Sequence, residues 1–361
     1  MTLQRIVIFL IPVIVLCSCR SNKEKDSDSF FMPEFQSRLQ VGTHIIVQSI
    51  PCNLTYGIWE SGNVLCAIYF DSETETLVHL FDKHTGFNIG NYIHRGRGPL
   101  EMPPSVPSIW EQNETLYMSD LYGGKTISFN IQRLASEGMP AIMEQYLEYK
   151  SYVTNSCLLD DGKLLVLNNI GYLNADTVNY RRLEVIDEND KRISSDNSVP
   201  YPDPEILFYL YQQTDLSVSP DCQHLVCGSV WGGLLELYTL PDLNITGYMR
   251  LIDPAVSINR GSIELTDKTT TGIRDIVAKN EGFYAVIGAD VFFLENINKP
   301  EAKREFANND LYYFNWRGEP IKQFTTDYNL EKICVTESLD TLYSIVSDVN
   351  GRLAIGVSML E

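Results

Sequence analysis

The chain has 361 residues, 44% of them hydrophobic, and sets 28 Lys and Arg against 47 Asp and Glu for a net charge of -19 and a pI near 4.7. So acidic a chain is a poor electrostatic match for nucleic acid or anionic lipid, and no nucleic-acid partner is expected. The length allows one large domain or two ordinary ones.

The first element is an apolar run, Ile6 to Leu16, behind the single charge of Arg5. It has the layout of a secretory signal and is too short to cross a bilayer as a conventional helix. The following Arg20 to Ser29 is rich in Ser, Asp, Glu and Lys, has nothing apolar to pack, and reads as a flexible spacer. Between them, Leu16-Cys17-Ser18-Cys19 resembles the lipobox of bacterial lipoproteins. That resemblance implies that Cys19 carries a diacylglyceryl group as the first mature residue, while Cys17 leaves with the signal. An ordinary signal peptide cut nearby, or a buried N-terminal helix, are the alternatives, and the charged spacer argues against burial. The acidic residues after Cys19 also resemble the export tether of Bacteroidetes surface lipoproteins. The expected organisation is a signal over 1–18, a lipidated tether over 19–40 and a folded body over 41–361. The expected location is the outer membrane, facing the periplasm or the cell exterior, with the membrane as partner through the lipid.

Within the body, an apolar run, a turn of Asp, Gly, Asn or Ser, and a second apolar run recur six times. The hairpins are Tyr56 to Asp71, Ser108 to Asp120, Ser156 to Asn169, Leu216 to Ser229, Asp275 to Asp290 and Ile333 to Asp348. Their spacing of about 50 to 60 residues is that of propeller blades. Further strand pairs follow over Thr76 to Ile93, Tyr180 to Ile193, Leu234 to Met249 and Asp310 to Phe324, so each period makes a four-stranded antiparallel blade. One blade cannot bury its two apolar faces, whereas a closed ring buries each against a neighbour. The last period stops after its third strand, Gly351 to Met359, and a spare run, Thr43 to Ile50, precedes the first hairpin. The prediction is an all-β, six-bladed β-propeller closed by the N-terminal strand. An open solenoid or two β-sandwiches would leave the missing and spare strands unmatched.

Two stretches break the rhythm. Ile131 to Tyr149 has Ala, Met, Leu and Glu at helical spacing and predicts a small helix in place of a regular outer strand. Val199 to Gln213 is a proline-marked loop whose aromatics either cover blade faces or line a ligand surface.

Past the tether, Cys52, Cys66, Cys157, Cys222, Cys227 and Cys334 lie mostly in strand-like surroundings and read as buried free thiols, with a Cys222–Cys227 bridge as the alternative. No pair has CxxC spacing and the five histidines form no local ligand set, so neither a metal nor a cofactor is expected. There is also no G-x-S-x-G elbow, HExxH or phosphate-loop spacing.

After the first blade comes "GNYIHRGRGPLEMPP", Gly90 to Pro104. Together with the signal and the six repeats, it resembles the TolB-like six-bladed β-propeller lipoproteins of Bacteroidetes, whose motif reads Gly-x-Gly-Pro-Gly-Glu-Phe. Gly96, Gly98, Pro99 and Glu101 match. Leu100 replaces a glycine able to take positive φ, which leucine does only at a cost, and Met102 replaces an aromatic. The resemblance implies a fold and a location and carries no settled activity. His94, Arg95 and Arg97 in this loop fit either a structural linker between blades or a contact to an anionic ligand.

Equivalent strand ends bring Asp71, Asp120, Asp290 and Asp348 toward one end of the ring. There they either bind a cation or sugar, or serve separately as Asx-turn caps, the commoner role at strand ends. The function expected is a lipid-anchored binding module for a glycan, a peptide or an outer-membrane partner protein. A glycan- or ester-acting hydrolase and a purely structural scaffold are the alternatives.

Overall fold

A computed structural model describes residues 31–361, apart from 53, 104–107, 121–123, 147–152, 160–161, 169–181, 188–191, 196–199, 204–205, 208–209, 212–213, 260–261, 265–268, 270, 289–309 and 349. Two strands, β1 (Ser37–Gln40) and β2 (Thr43–Val47), precede the repeats. Blade 1 comprises β3 (Thr55–Ser61), β4 (Val64–Asp71), β5 (Thr76–Asp82) and β6 (Asn88–His94). In blade 2, helix α1 (Ile131–Glu137) separates β7 (Ser108–Gln112), β8 (Thr115–Asp120) and β9 (Lys125–Asn130) from β10 (Met143–Tyr146). Blade 3 holds β11 (Val153–Leu158), β12 (Leu164–Asn168), β13 (Leu183–Ile186) and β14 (Arg192–Ser195). Blade 4 holds β15 (Thr214–Val218), β16 (His224–Ser229), β17 (Leu234–Thr239) and β18 (Asn244–Arg250), and is followed by a small hairpin of β19 (Ser257–Asn259) and β20 (Ser262–Glu264). Blade 5 is β21 (Ile273–Lys279), β22 (Gly282–Ile287), β23 (Asp310–Asn315) and β24 (Pro320–Thr325); blade 6 begins with β25 (Asn329–Val335), β26 (Thr341–Ser347) and β27 (Leu353–Met359).

The second strand of each blade shows why the sequence closes into a ring. Strand residues alternate between the two faces of a sheet, yet these strands are apolar at nearly every position because both faces are covered. On β4, Val64, Cys66 and Ile68 pack toward blade 2, while Leu65, Ala67 and Tyr69 pack toward blade 6. On β22, Phe283, Ala285 and Ile287 join the blade 4 cluster, and Tyr284 and Val286 the blade 6 cluster. The Val, Leu, Ile and Phe side chains among these each contribute about 1.5–3 kcal/mol when fully buried. Because Tyr343 and Ile345 of blade 6 share a cluster with Leu65 and Ala67 of blade 1, the circuit is complete.

Closure follows the expected exchange of strands. β2 pairs antiparallel with β27, from Thr43 opposite Ser358 to Val47 opposite Ile355, and supplies the outer strand of blade 6. The folded body nevertheless starts before position 41. β1 lies parallel to β24 as a fifth strand of blade 5, Ser37 opposite Lys322 and Gln40 opposite Thr325. Upstream, Phe31 N donates to the Arg250 carbonyl at 2.8 Å, and Phe35 packs against Tyr312 and Phe314 with ring centroids 5.1 and 5.4 Å away. The reason is compositional: Phe31, Met32, Phe35 and Leu39 give this part of the assigned tether an apolar face, which the spacer at 20–29 lacks. The lipidation candidate Cys19 lies outside the described residues.

The helix is inserted in blade 2 and replaces no strand there, since Met143 on β10 still pairs with Ser128 on β9. Asn130 caps α1 by accepting from Arg133 N at 3.0 Å, Ile131 and Leu134 bury its apolar side, and Gly138 at φ 70° ends it before Pro140. The six cysteines of the described body are all free thiols, so Cys222 and Cys227 form no bridge.

Candidate functional site

Antiparallel alternation divides the connections between two faces. Every inner strand (β3, β7, β11, β15, β21, β25) begins at the face called upper here, where each second strand ends and each third begins. The strand ends that bound the longest connections all lie at the upper face: His94 and Ser108, Asn168 and Leu183, Ser195 and Thr214, Arg250 and Ile273, Ile287 and Asp310; the lower face has tight turns such as 62–63, 113–114 and 280–281, and α1. Binding residues concentrate on loops carried by a rigid scaffold, which makes the upper face the candidate surface.

Three of the four strand-end acids can be located there. Asp71 accepts from Glu73 N at 2.8 Å, Thr74 N at 3.3 Å and Thr74 Oγ1 at 2.8 Å. Its burial works against the charged form, but these hydrogen bonds prevail and hold the carboxyl below its ordinary value. Asp348 accepts from Arg352 N at 2.9 Å and Asn350 N at 2.8 Å, and the first of these leads in lowering its pKa. Both are turn caps, each satisfied within its own loop. Asp120 is buried at the end of β8 opposite Lys125. Asp290 lies outside the described residues, and among those described no group of three or more His, Cys, Asp or Glu is placed to hold a metal.

The loop after blade 1 is a rigid linker. Gly96 N donates to the Met102 carbonyl and Met102 N to that of His94, at 2.8 and 3.0 Å. Gly98 N donates to Glu101 Oε2 at 2.7 Å, Leu100 N to Glu144 Oε2 at 2.6 Å, and Lys125 Nζ to the Gly98 carbonyl at 2.6 Å. A Cβ on Gly96 would stand 1.9 Å from Glu101 Oε2, so a side chain there would push aside the carboxylate that accepts from Gly98 N. Leu100 does adopt φ 55°, and Met102 is fully buried where the motif has an aromatic. His94, Arg95 and Arg97 all remain exposed on the loop.

One polar cluster escaped the sequence reading. Below the upper mouth, Asp275 on β21 accepts from Lys332 Nζ at 2.8 Å and from Ile333 N at 2.7 Å, both on β25 of the next blade. Asp215 on β15 belongs to the same electrostatic group. Burial raises the Asp275 carboxyl to about 6 and the Asp215 charge reinforces it, although Lys332 opposes. Burial likewise raises Asp215 against the pull of Lys332. At Lys332 burial disfavours the ammonium, but two facing carboxylates overcome it and raise the pKa. One positive charge is thus shared by two negative ones contributed by three successive blades. The available signal was a charged residue inside each strand-like run, Asp275 in "DIVAK" and Lys332 in "EKICV".

Register bulges occur near the start of four inner strands, at Thr55/Gly57, Val153/Asn155, Ile273/Asp275 and Leu330/Lys332. The extra residues of the last two, Arg274 and Glu331, face each other at 3.7 Å, and Ser347 Oγ donates to Glu331 Oε1 at 2.7 Å. Bulges re-aim side chains in this way at barrel rims and active sites. At the lower end, Glu111 on β7 keeps solvent contact, yet the enclosing ring desolvates its carboxyl and raises its pKa; Lys279 opposes this, while Glu337, Glu114 and Glu60 add to it.

Of the aromatic stretch after blade 3, Tyr211 belongs to the core, while Phe208 and Tyr209 lie outside the described residues. Leu207, Leu210 and Tyr211 are buried, and Tyr211 Oη donates to Glu236 Oε1 at 2.9 Å. Arg182 pairs with Glu236 and lies 3.7 Å over the Tyr211 ring, so a buried polar unit fastens this segment between blades 3 and 4.

No family model and no curated protein matches the chain. Among solved structures, a candidate exported protein of Bacteroides fragilis aligns at TM-score 0.54 and 10% identity, over 89% of this chain and 98% of that one. Regucalcin, a calcium-binding protein of Agrobacterium tumefaciens, aligns at TM-score 0.49 and 9% identity over 90% and 95%. A gluconolactonase of Xanthomonas campestris aligns at TM-score 0.48 and 8% identity over 88% and 89%. At such identities the likeness is one of fold, and the chain is a six-bladed β-propeller, a scaffold suited to protein or ligand interactions.

Proposed function

We propose that the protein is a lipid-anchored binding module of a bacterial outer membrane whose upper face engages a glycan, a peptide or an envelope protein. The observation that carries this reading is the asymmetry of the ring: the strand ends that bound its longest connections share one face, above a rim of bulged inner strands, while the other face has tight turns and a helix. Anchoring rests on the Leu16–Cys19 pattern and the spacer after it. The same pattern, with Gly96, Gly98, Pro99 and Glu101, supports placement beside the TolB-like lipoproteins of Bacteroidetes.

Two experiments test this. Metabolic labelling with a fatty acid should mark the wild type and fail in Cys19→Ala; label that survives there but is lost in Cys17→Ala refutes the anchor assignment. Screening the folded chain against glycans, peptides and envelope proteins should give saturable binding without turnover. Hydrolysis of a glycan or ester would favour a catalytic role, and binding to nothing would leave a scaffold.

A further inference from the structure

We propose that Arg95 and Arg97 form a carboxylate-binding subsite on the upper face, fitted to a ligand with isolated carboxylates such as an acidic oligosaccharide. This inference rests on the binding-module reading and narrows its ligand. In a chain of net charge -19, the described ion pairs engage Arg133, Arg182, Arg274, Arg317 and Arg352. Arg95 and Arg97 are exposed, and neither has an ion-pair partner among the described residues. The Arg95 guanidinium lies over Phe70 at 5.0 Å, which orients it while leaving its N–H edge to accept a planar anion.

The backbone beneath is held firmly and under strain. Glu101, Glu144 and Lys125 lock the loop at Gly98 and Leu100. Three non-glycine residues around the arginines have left-handed backbone: Glu75 at φ 54°, Ile93 at φ 57° and Leu100 at φ 55°. The Glu75 backbone carbonyl also accepts from Arg95 N at 2.8 Å. For a β-branched residue such as Ile93 this conformation is a true outlier, and strain of this kind collects at ligand clamps. An arginine already oriented over Phe70 spends little entropy on binding. The charge of the whole molecule selects among anions: a dense polyanion is repelled, whereas sparse carboxylates meet the local positive charge without that penalty.

Isothermal titration of the full chain with tri-galacturonate, a neutral galactose trisaccharide and inorganic phosphate tests the assignment. Tri-galacturonate should bind saturably and more tightly than either control. Arg95→Gln and Arg97→Gln should each weaken it by about tenfold or more at unchanged melting temperature, as expected for losing a charge-assisted hydrogen bond. Arg97→Lys should retain part of the affinity. Absence of tri-galacturonate binding, equal affinity in the glutamine variants, or equal binding of phosphate overturns the subsite. If a neutral glycan or peptide binds and ignores both substitutions, the subsite fails while the binding-module reading stands; if no probe of any class binds, both fail.

Discussion

Replacing Lys332 by Met isolates the polar staple between blades 5 and 6. The Lys332 side chain is 17% exposed and that of Asp275 12% exposed, with Nζ 2.8 Å from Oδ1, so the pair is largely shielded from solvent. Methionine keeps most of the stem volume but leaves the buried Asp275 and the half-buried Asp215 without a counter-charge. Removing one partner of a buried pair costs about 3–5 kcal/mol, and the loss is expected to be larger near pH 8 than in acid. The pH dependence follows from the raised pKa values. Asp275 binds its proton more tightly in the folded state than in the unfolded chain, so its contribution to stability is fully present below the ordinary carboxylate value of 3.8 and fades as the pH rises through about 6. Without Lys332 both acids should titrate still higher, and near pH 5 protonation should recover most of the loss. Urea unfolding followed by tryptophan fluorescence at the two pH values measures this. A deficit of equal size at both, or one below about 1 kcal/mol near pH 8, would refute the shared-charge account.

Other outcomes follow from the same geometry. Asp215→Asn should stabilise the fold near pH 8 by on the order of 1 kcal/mol, since one carboxylate then has the ammonium to itself, and it should flatten the stability profile between pH 5 and 7; destabilisation in urea would count against it. Deleting Thr43–Val47 removes the outer strand of blade 6 and should lower the melting temperature far more than deleting residues 31–40, which strips the fifth strand of blade 5 and the peripheral packing of Met32 and Phe35 but leaves the ring closed; equal shifts would mean that β2 closes nothing. Gly96→Ala drives a Cβ into the Glu101 carboxylate, displaces its bond to Gly98 N and should cost about 1–3 kcal/mol, read by thermal unfolding. Changing from chelator to millimolar calcium should leave the melting temperature where it is, because Asp71 and Asp348 are already satisfied by local donors; a rise of several degrees that vanishes in Asp120→Asn would show a cation site.

The ring was legible because its signal is periodic and local. A hairpin such as Val64–Asp71 with Thr55–Ser61 announces itself in adjacent residues, and the spare strand at Thr43 pointed to the gap after Met359. Leu100 was less readable: a leucine in place of the motif's glycine left the turn geometry open, and the structure shows that the positive φ is kept. What failed to show was whatever depends on contacts between blades. Asp275 and Lys332 are far apart in sequence, and only the register of two inner strands brings them to 2.8 Å. The N-terminal arm was missed for a different reason: Met32 and Phe35 are too few and irregular to read as a strand, yet the face formed by blades 4 and 5 receives them. In the Val199–Gln213 loop, composition alone could not separate a ligand surface from a cover, because Tyr211 serves as cover through Glu236, a partner in the next blade.

Hydrogen–deuterium exchange of the full chain, free and saturated with the tightest binder from a glycan, peptide and envelope-protein panel, tests most directly whether the upper face is the working surface. The account predicts new protection at the ends of the second strands and in the linker loop, over 71–76, 94–102 and 229–234, with none at the lower turns 113–114 and 280–281 or on α1. Protection confined to those lower turns or to α1 would contradict it.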